Sequence, residues 1–546
     1  MKSFKEENRI RPDILTAAVL LSAALMMVYA IISQRVFGDT GAFFAAGPVS
    51  LYLLFYLILV LSVQKAVYIM VRIRARRSQY LNAEANMQRS LRIFGIAGLI
   101  AGLLIMALSY TIAGRVFGAE RGFIQLLIAG VAVAFLGVQG VLRGYLQGVG
   151  YTKPILLSDL LIALTTMVSG TVFSILLYGY GLKVNDLFHV DEFASVYGSV
   201  GMMAGFLTGA VVGFVQIIVS FQLRKNEIDD FVKSGAPRYL DNKNDVLTGI
   251  RPIAILYAAP AFMAFLDQCF YCVFIRKFHA DVDYKTIYGI FSGKILTLTA
   301  LLSILCCIPY LKPLNRVMAR FERDEYEGAR ERFRFLVRFA NMLFMPVSVF
   351  VFATNETLLI SLFGKSTAFA GKLLMLGSLS VYFCSFAIIF SWLLSHMGKS
   401  VASMLNVGIG WGVHIVGLVV FVALLNMGAY GLILSAVLAF LVYDVMCLLE
   451  IARVLSHKQE FFRSFLLPLI SSAVAGLAVF LLNRLLVSLI GDVLTLLLCI
   501  LVYWFVYMMV MIVSRGIRAH ELHRIPFGSL LMGVAAMIQS EENIAG

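Results

Sequence analysis

Lys65, Asp159, Asp267, Lys294 and His414 all stand inside long apolar stretches of the sequence. A charge in hydrocarbon is expensive, so each such residue is a functional candidate by default. Lysines in a low-dielectric cavity would hold an anionic group such as a pyrophosphate strongly. Their rival fate is to snorkel towards the lipid headgroups. Arg35 and Arg251 stand near the ends of apolar stretches, as further anion ligands or as plain flanks. Asp267, beside Gln268, is the clearest acid; it can pair with a cavity lysine, bind a coupling cation (Na+ or H+), or be structural. Asp159 has a coupling role or a hydrogen bond within its own half as its alternatives. His414 reads as a packed, hydrogen-bonded histidine more readily than as a proton relay. Asp444 and Glu450 read as headgroup-level flanks.

Other chemistries are poorly served. Cys269 and Cys272 form a C-x-x-C, but on an apolar helix, where packing is the ordinary role of cysteine. His520 and His523 lack metal partners at a recognisable spacing. MGKS at 397–400 has only the trailing end of a phosphate-binding loop. No cofactor is expected, and energy should come from an ion gradient or the membrane potential. An enzyme acting on sugars or lipid heads would need a sizeable loop domain, and none is present.

The elements that position these residues are membrane spans. The 546 residues are 60% hydrophobic and 14% charged, against about 25% charged in soluble proteins. Apolar runs long enough to cross hydrocarbon predict fourteen spans, near 14–34, 47–71, 93–114, 122–143, 155–178, 196–221, 252–275, 287–311, 335–355, 371–395, 401–425, 428–450, 465–486 and 491–513. The fold class is therefore an all-α polytopic membrane protein, its longest external link 183–198. An even number of spans puts both termini on one side, and most Lys and Arg fall in the loops of that side, which makes it cytoplasmic. The +14 net charge is spread over those loops rather than gathered in a domain, which argues against nucleic acid as a partner. The N-terminal apolar stretch is too long for a cleaved signal and reads as the first span.

The two halves resemble one another. VFGAERGFIQLLIAGVAVAFLGVQG (116–140) and LFGKSTAFAGKLLMLGSLSVYFCSF (362–386) each begin with an apolar-Phe-Gly turn. Each runs into a short basic link, GVLRGYLQGVGYTKP (140–154) in one and SWLLSHMGKS (391–400) in the other. Two six-span repeats, 1–249 and 250–460, followed by 461–546 with two further spans and a tail, account for the pattern. Such repeats place a substrate site between lobes that rock against each other. In the first link, Arg143 and Lys153 are expected at headgroup level. Gly144, Gly148 and Gly150 are expected to permit the turn, and Pro154 to open the next helix.

At these residues the chain resembles the polysaccharide-transporter branch of the multidrug/oligosaccharidyl-lipid/polysaccharide (MOP) exporter superfamily, above all its stage V sporulation protein B-like group, which includes lipid II flippases. RGYLQG (143–148), FGDTGAFFAAGPVSLYLLFYLILVLS (37–62), APAFMAFLDQ (259–268), IYGIFSGKILTLTALLSILCCIPYL (287–311) and RIPFGSLL (524–531) carry the resemblance. It departs at Ala30, where that group often has arginine, and at Tyr68-Ile69. The resemblance implies a V-shaped pair of six-helix lobes, a cavity lined mainly by spans one, two, seven and eight, and a lipid-tail groove at the last two spans. It implies movement of a lipid-linked sugar among membrane lipids, with a cation-coupled multidrug exporter as the alternative.

Overall fold

The computed structural model describes residues 12–233, 235–236, 245–278, 283–456 and 462–517. The motif at 524–531 and the tail histidines lie outside them. Nearly every described residue is helical, because lipid offers backbone groups no partner and a helix satisfies its own. Among the described residues, thirteen helical runs are long and apolar enough to cross a bilayer.

The first run, Ile14–Arg76, has 63 residues; at 1.5 Å per residue it would be about 95 Å long, three times the hydrocarbon thickness of ~30 Å. It crosses twice. Gly38, with φ 73° and ψ −171°, occupies a region that essentially only glycine visits, and there the chain doubles back. Tyr29 and Tyr52, on either side of that turn, meet the same Phe206 ring at 5.9 and 5.1 Å. The fourteen crossings expected from hydropathy are thus present.

Span two runs from this turn through a π segment, Leu57–Ser62, to Arg76. Span three is Tyr80–Ala107, and span four joins Phe123–Ala134 to Leu136–Val149. Spans five and six are Lys153–Phe188 and Glu192–Gln222. The expected external link of 183–198 therefore shrinks to three residues, because KVND and EFAS continue as helix beyond the apolar stretch. Span seven is Asp245–Phe278, and span eight runs from Tyr284 through a π segment, Ile290–Leu296, to Cys307. Spans nine to twelve are Tyr326–Ala353, Ala368–His396, Ser400–Leu424 and Ala429–Leu455. Spans thirteen and fourteen, Phe462–Ile490 and Asp492–Val513, pack on each other and on span nine. There the Tyr507 hydroxyl donates to the Met342 carbonyl at 3.1 Å.

The first elbow corrects two expectations. Gly150, at φ 110°, ends span four as a left-handed C-cap, and Tyr151 N–H closes back on Leu146 O at 2.8 Å. Pro154 opens span five as expected. Gly144 and Gly148 make no turn. They let span four seat on span two: a Cβ at Gly144 would lie 2.6 Å from Gln64 O, and one at Gly148 2.6 Å from Val71 Cβ. Arg143 is not at headgroup level but fully buried. The second elbow is built the same way, with Gly398 at φ 73° between spans ten and eleven.

Candidate functional site

The candidate site is the seam where the first half of the chain meets the second. At the Gly38 end, Asp39 receives Lys294 Nζ at 2.9 Å on Oδ1 and 3.0 Å on Oδ2, and Gln34 Nε2 at 2.7 Å. Lys294 lies inside the π segment of span eight and is 5% exposed, so its charge depends on that carboxylate. Two glycines one turn apart let span eight come this close. A Cβ at Gly289 would lie 1.8 Å from Asp39 O, and one at Gly293 2.2 Å from Gln34 Oε1.

Further ties surround this pair. The Thr40 and Thr286 hydroxyls are 3.5 Å apart. Phe43 packs edge-on against Tyr284 and Tyr288, and Gln268 Nε2 donates to Phe43 O at 3.4 Å. Tyr284 donates to Gly118 O at 3.1 Å. Glu192 takes both Lys285 and Arg121; these side chains are partly solvated, so the pairs contribute at most about 1 kcal/mol each. Arg35 is exposed and caps a helix end, donating to Ser361 O at 2.8 Å and Leu362 O at 2.5 Å. Those carbonyls belong to the last turn of Asn355–Phe363, where helix acceptors lack internal partners.

Each half also holds a buried polar cluster. In the first, Arg143 pairs with Asp159 and donates to Gln64 Oε1 at 2.8 Å and Ser158 Oγ at 3.2 Å. Asp159 thus bonds within its own half, one of its two expected roles. In the second half, Asp267 of span seven faces His414 of span eleven, with Oδ1 3.1 Å from Nε2. They are 3% and 0% exposed. The partner of Asp267 is a histidine, not a cavity lysine. Phe262 and Trp411 pack against each other between the same two spans, ring centroids 4.6 Å apart and planes tilted by 52°.

Lys65 is half-buried and has no acidic partner among the described residues. Its helix, Val63–Arg76, packs on span seven of the other half, which places Lys65 on an element that lines the seam. Arg251 is exposed at the start of span seven. The four cations are not gathered in one cluster: Lys294 and Arg35 sit at the Gly38 end, and the helix from Asp39 to Lys65 is about 40 Å long at 1.5 Å per residue. Asp444 is not a headgroup-level flank. It is 7% exposed, with no hydrogen-bond donor on either carboxylate oxygen, because span twelve packs against span ten. Glu450 does stay a flank, paired with Arg453 at 3.0 Å. The seven cysteines are free and buried or half-buried. Asp39, Gln34, Glu192 and Lys285 escaped the reading of the sequence. The one local signal was the turn-forming FGDTG itself.

No protein-family model matches this sequence, and no curated protein does. Solved structures do. An inward-facing multidrug resistance MATE family transporter of the MOP superfamily superposes with TM-score 0.62 at 14% identity, covering 82% of this chain and 98% of its own. The lipid II flippase MurJ in an inward closed conformation also gives 0.62 at 14% identity, covering 92% and 99%. This chain has the MOP transporter fold. An outward-facing multidrug resistance MATE family transporter of the MOP superfamily superposes with TM-score 0.51 at 16% identity, covering 83% of this chain and 99% of its own. The ties around Gly38 close this fold at one end of the seam.

Proposed function

We propose that the chain is a flippase. It moves a lipid-linked oligosaccharide, a polyprenyl-pyrophosphate cell-envelope precursor of the lipid II kind, outward across the cytoplasmic membrane by alternating access. The lobes are 1–249 and 250–460, and 461–546 adds two spans and a tail. Both termini are cytoplasmic, so the Gly38 end is the outer end. The chain is a transporter rather than an enzyme and uses no cofactor.

One observation carries the reading: Asp39, Asp159 and Asp267 each face a basic side chain, whereas Lys65, on a span that packs across the seam, has no ion-pair partner among the described residues. A seam with a spare cation suits an anionic headgroup. Arriving from the cytoplasm, a pyrophosphate meets Lys65, with Arg251 near the inner mouth. It then competes with Asp39 for Lys294, and winning that competition unties the outer seam where Arg35 also holds. An inside-negative potential helps, since each charge moved outward gains about 2.3 kcal/mol per 100 mV.

The alternative is a cation-coupled exporter of cationic drugs, favoured by the likeness to MATE structures. Proteoliposomes loaded with a fluorescent polyprenyl-pyrophosphate disaccharide separate the two. Transfer to the outer leaflet should fall at least about tenfold in Lys65→Ala and Lys294→Ala, the scale of losing a buried charge contact. Efflux of a cationic dye that ignores both lysines, with no lipid transfer, would hand the case to the exporter.

A further inference from the structure

We infer that Asp267 and His414 form a proton site, so that the ion coupled to conformational change in this chain is H+ and not Na+. This rests on the transporter reading above and names its coupling ion. Both side chains are buried in helices that cross the bilayer, and Nε2 stands 3.1 Å from Oδ1. Neither Asp267 Oδ1 nor either ring nitrogen of His414 makes a hydrogen bond among the described residues. At 3.1 Å the two are close enough to share a proton.

The donor set argues against a metal cation. Hard cations take several oxygen ligands, and here one carboxylate faces an imidazole. The backbone offers little help, since the carbonyls of His414 and Ile415 accept from the Leu418 N–H. Among the described residues, no group of three or more His, Cys, Asp or Glu side chains stands together. Imidazole, by contrast, gains and loses a proton in the physiological range. The other titratable groups around the pair are Tyr288 of span eight and Cys269 and Cys272 of span seven. From span twelve, Tyr443 and Cys447 face Ser403 and Asn406, further along span eleven. Among the charged groups of spans one, two and eight, Asp39 and Lys294 hold each other, and Lys65 lies towards His396.

The site is wired to the seam by sequence adjacency. Gln268, the residue after Asp267, donates to Phe43 O, and Tyr288 packs on Phe43 from span eight. A proton added to the pair raises its net charge by one, and the resulting movement of span seven reaches the Gln268–Phe43 bond one residue away. When the outer seam opens and anionic cargo leaves, the pair takes a proton from outside; once the seam has closed, the proton is released inward.

Charge movement in the absence of any lipid-linked sugar tests this. Vesicles of phosphatidylethanolamine and phosphatidylglycerol holding the full-length protein are adsorbed to a solid-supported membrane and given an acid jump or a Na+ jump at constant pH. The acid jump should give a transient current that Asp267→Asn and His414→Gln abolish and Asp267→Glu retains, while the Na+ jump gives none. Thermal melting of each variant shows that it is folded. A Na+-jump current lost in Asp267→Asn would overturn the proposal in favour of a metal-cation site. An acid-jump current untouched by both substitutions would overturn it by placing the proton elsewhere. Since no cargo is present, failure of the flippase reading leaves the acid-jump current and its dependence on Asp267 and His414 in place, whereas failure of the proton site shows as loss of that dependence or as a Na+-driven current.

Discussion

Replacing Gly289 by alanine should prise the Gly38 end of the seam apart. The new Cβ would stand 1.8 Å from the Asp39 carbonyl oxygen and 2.6 Å from its carbon. Both atoms are backbone, so no side chain can swing aside, and span eight must retreat by more than an ångström. Overpacking of this kind costs about 1–3 kcal/mol. The cost falls on the closed form alone, because the two helices no longer touch once the seam is open, so the closed-to-open ratio should fall by about 5- to 150-fold. The Thr40 and Thr286 hydroxyls, 3.5 Å apart, mark sites for a reporter pair. Thr40→Cys with Thr286→Cys should form a disulfide readily under mild oxidation, and the seven native cysteines, buried or half-buried, add little background. Adding Gly289→Ala should slow that cross-link strongly. Gly179→Ala, where a Cβ meets nothing within 4 Å, should leave it unchanged. Equal cross-linking with and without Gly289→Ala would refute the claim that close backbone approach holds the seam.

Two further outcomes follow from the same geometry. Arg143→Leu leaves Asp159 buried without its cation, which should lower stability by about 3–5 kcal/mol in a thermal melt, and Asp159→Leu added to it should recover much of the loss. Gly38→Ala forces a side chain into backbone territory reserved for glycine, at about 1–3 kcal/mol; the Thr40–Thr286 cross-link should weaken although no contact of the seam itself has been changed.

Hydropathy made the fourteen crossings legible because lipid allows little else. It misplaced element ends, as at 183–198, where helix persists past the apolar stretch because polar residues such as Asn185 and Asp186 do not by themselves break a helix. Glycine was legible at Gly150, where a proline four residues on marks the turn. It was misleading at Gly144 and Gly148, since a spacing of four serves close packing equally well. Arg143 read as a flank because nothing local shows that its elbow is roofed by other helices. Its partner Asp159, however, sits just across that elbow, and an acid and a base at matching depth in adjacent spans were a usable sign. Asp39 and Lys294 are 255 residues apart, and Asp267 meets His414 only because span seven lies beside span eleven. Pairings of that range are made by tertiary packing and leave no trace in local pattern.

The glycines of span eight also bear on how fast the seam can part. Helices joined through large side chains must unthread knobs from holes, and the contacts break in stages. Where Gly289 meets the Asp39 backbone and Gly293 meets the Gln34 and Ala42 side chains, span eight brings no side chain of its own to unthread. What resists separation beyond the Phe43–Tyr284 and Phe43–Tyr288 ring contacts is mostly polar, Lys294, Asp39, Gln34 and two threonines among it, and water can replace those bonds as soon as a gap admits it. Parting at this end is therefore short in travel and close to all-or-none, as suits a barrier that must open fully for bulky cargo and reseal without leaking ions.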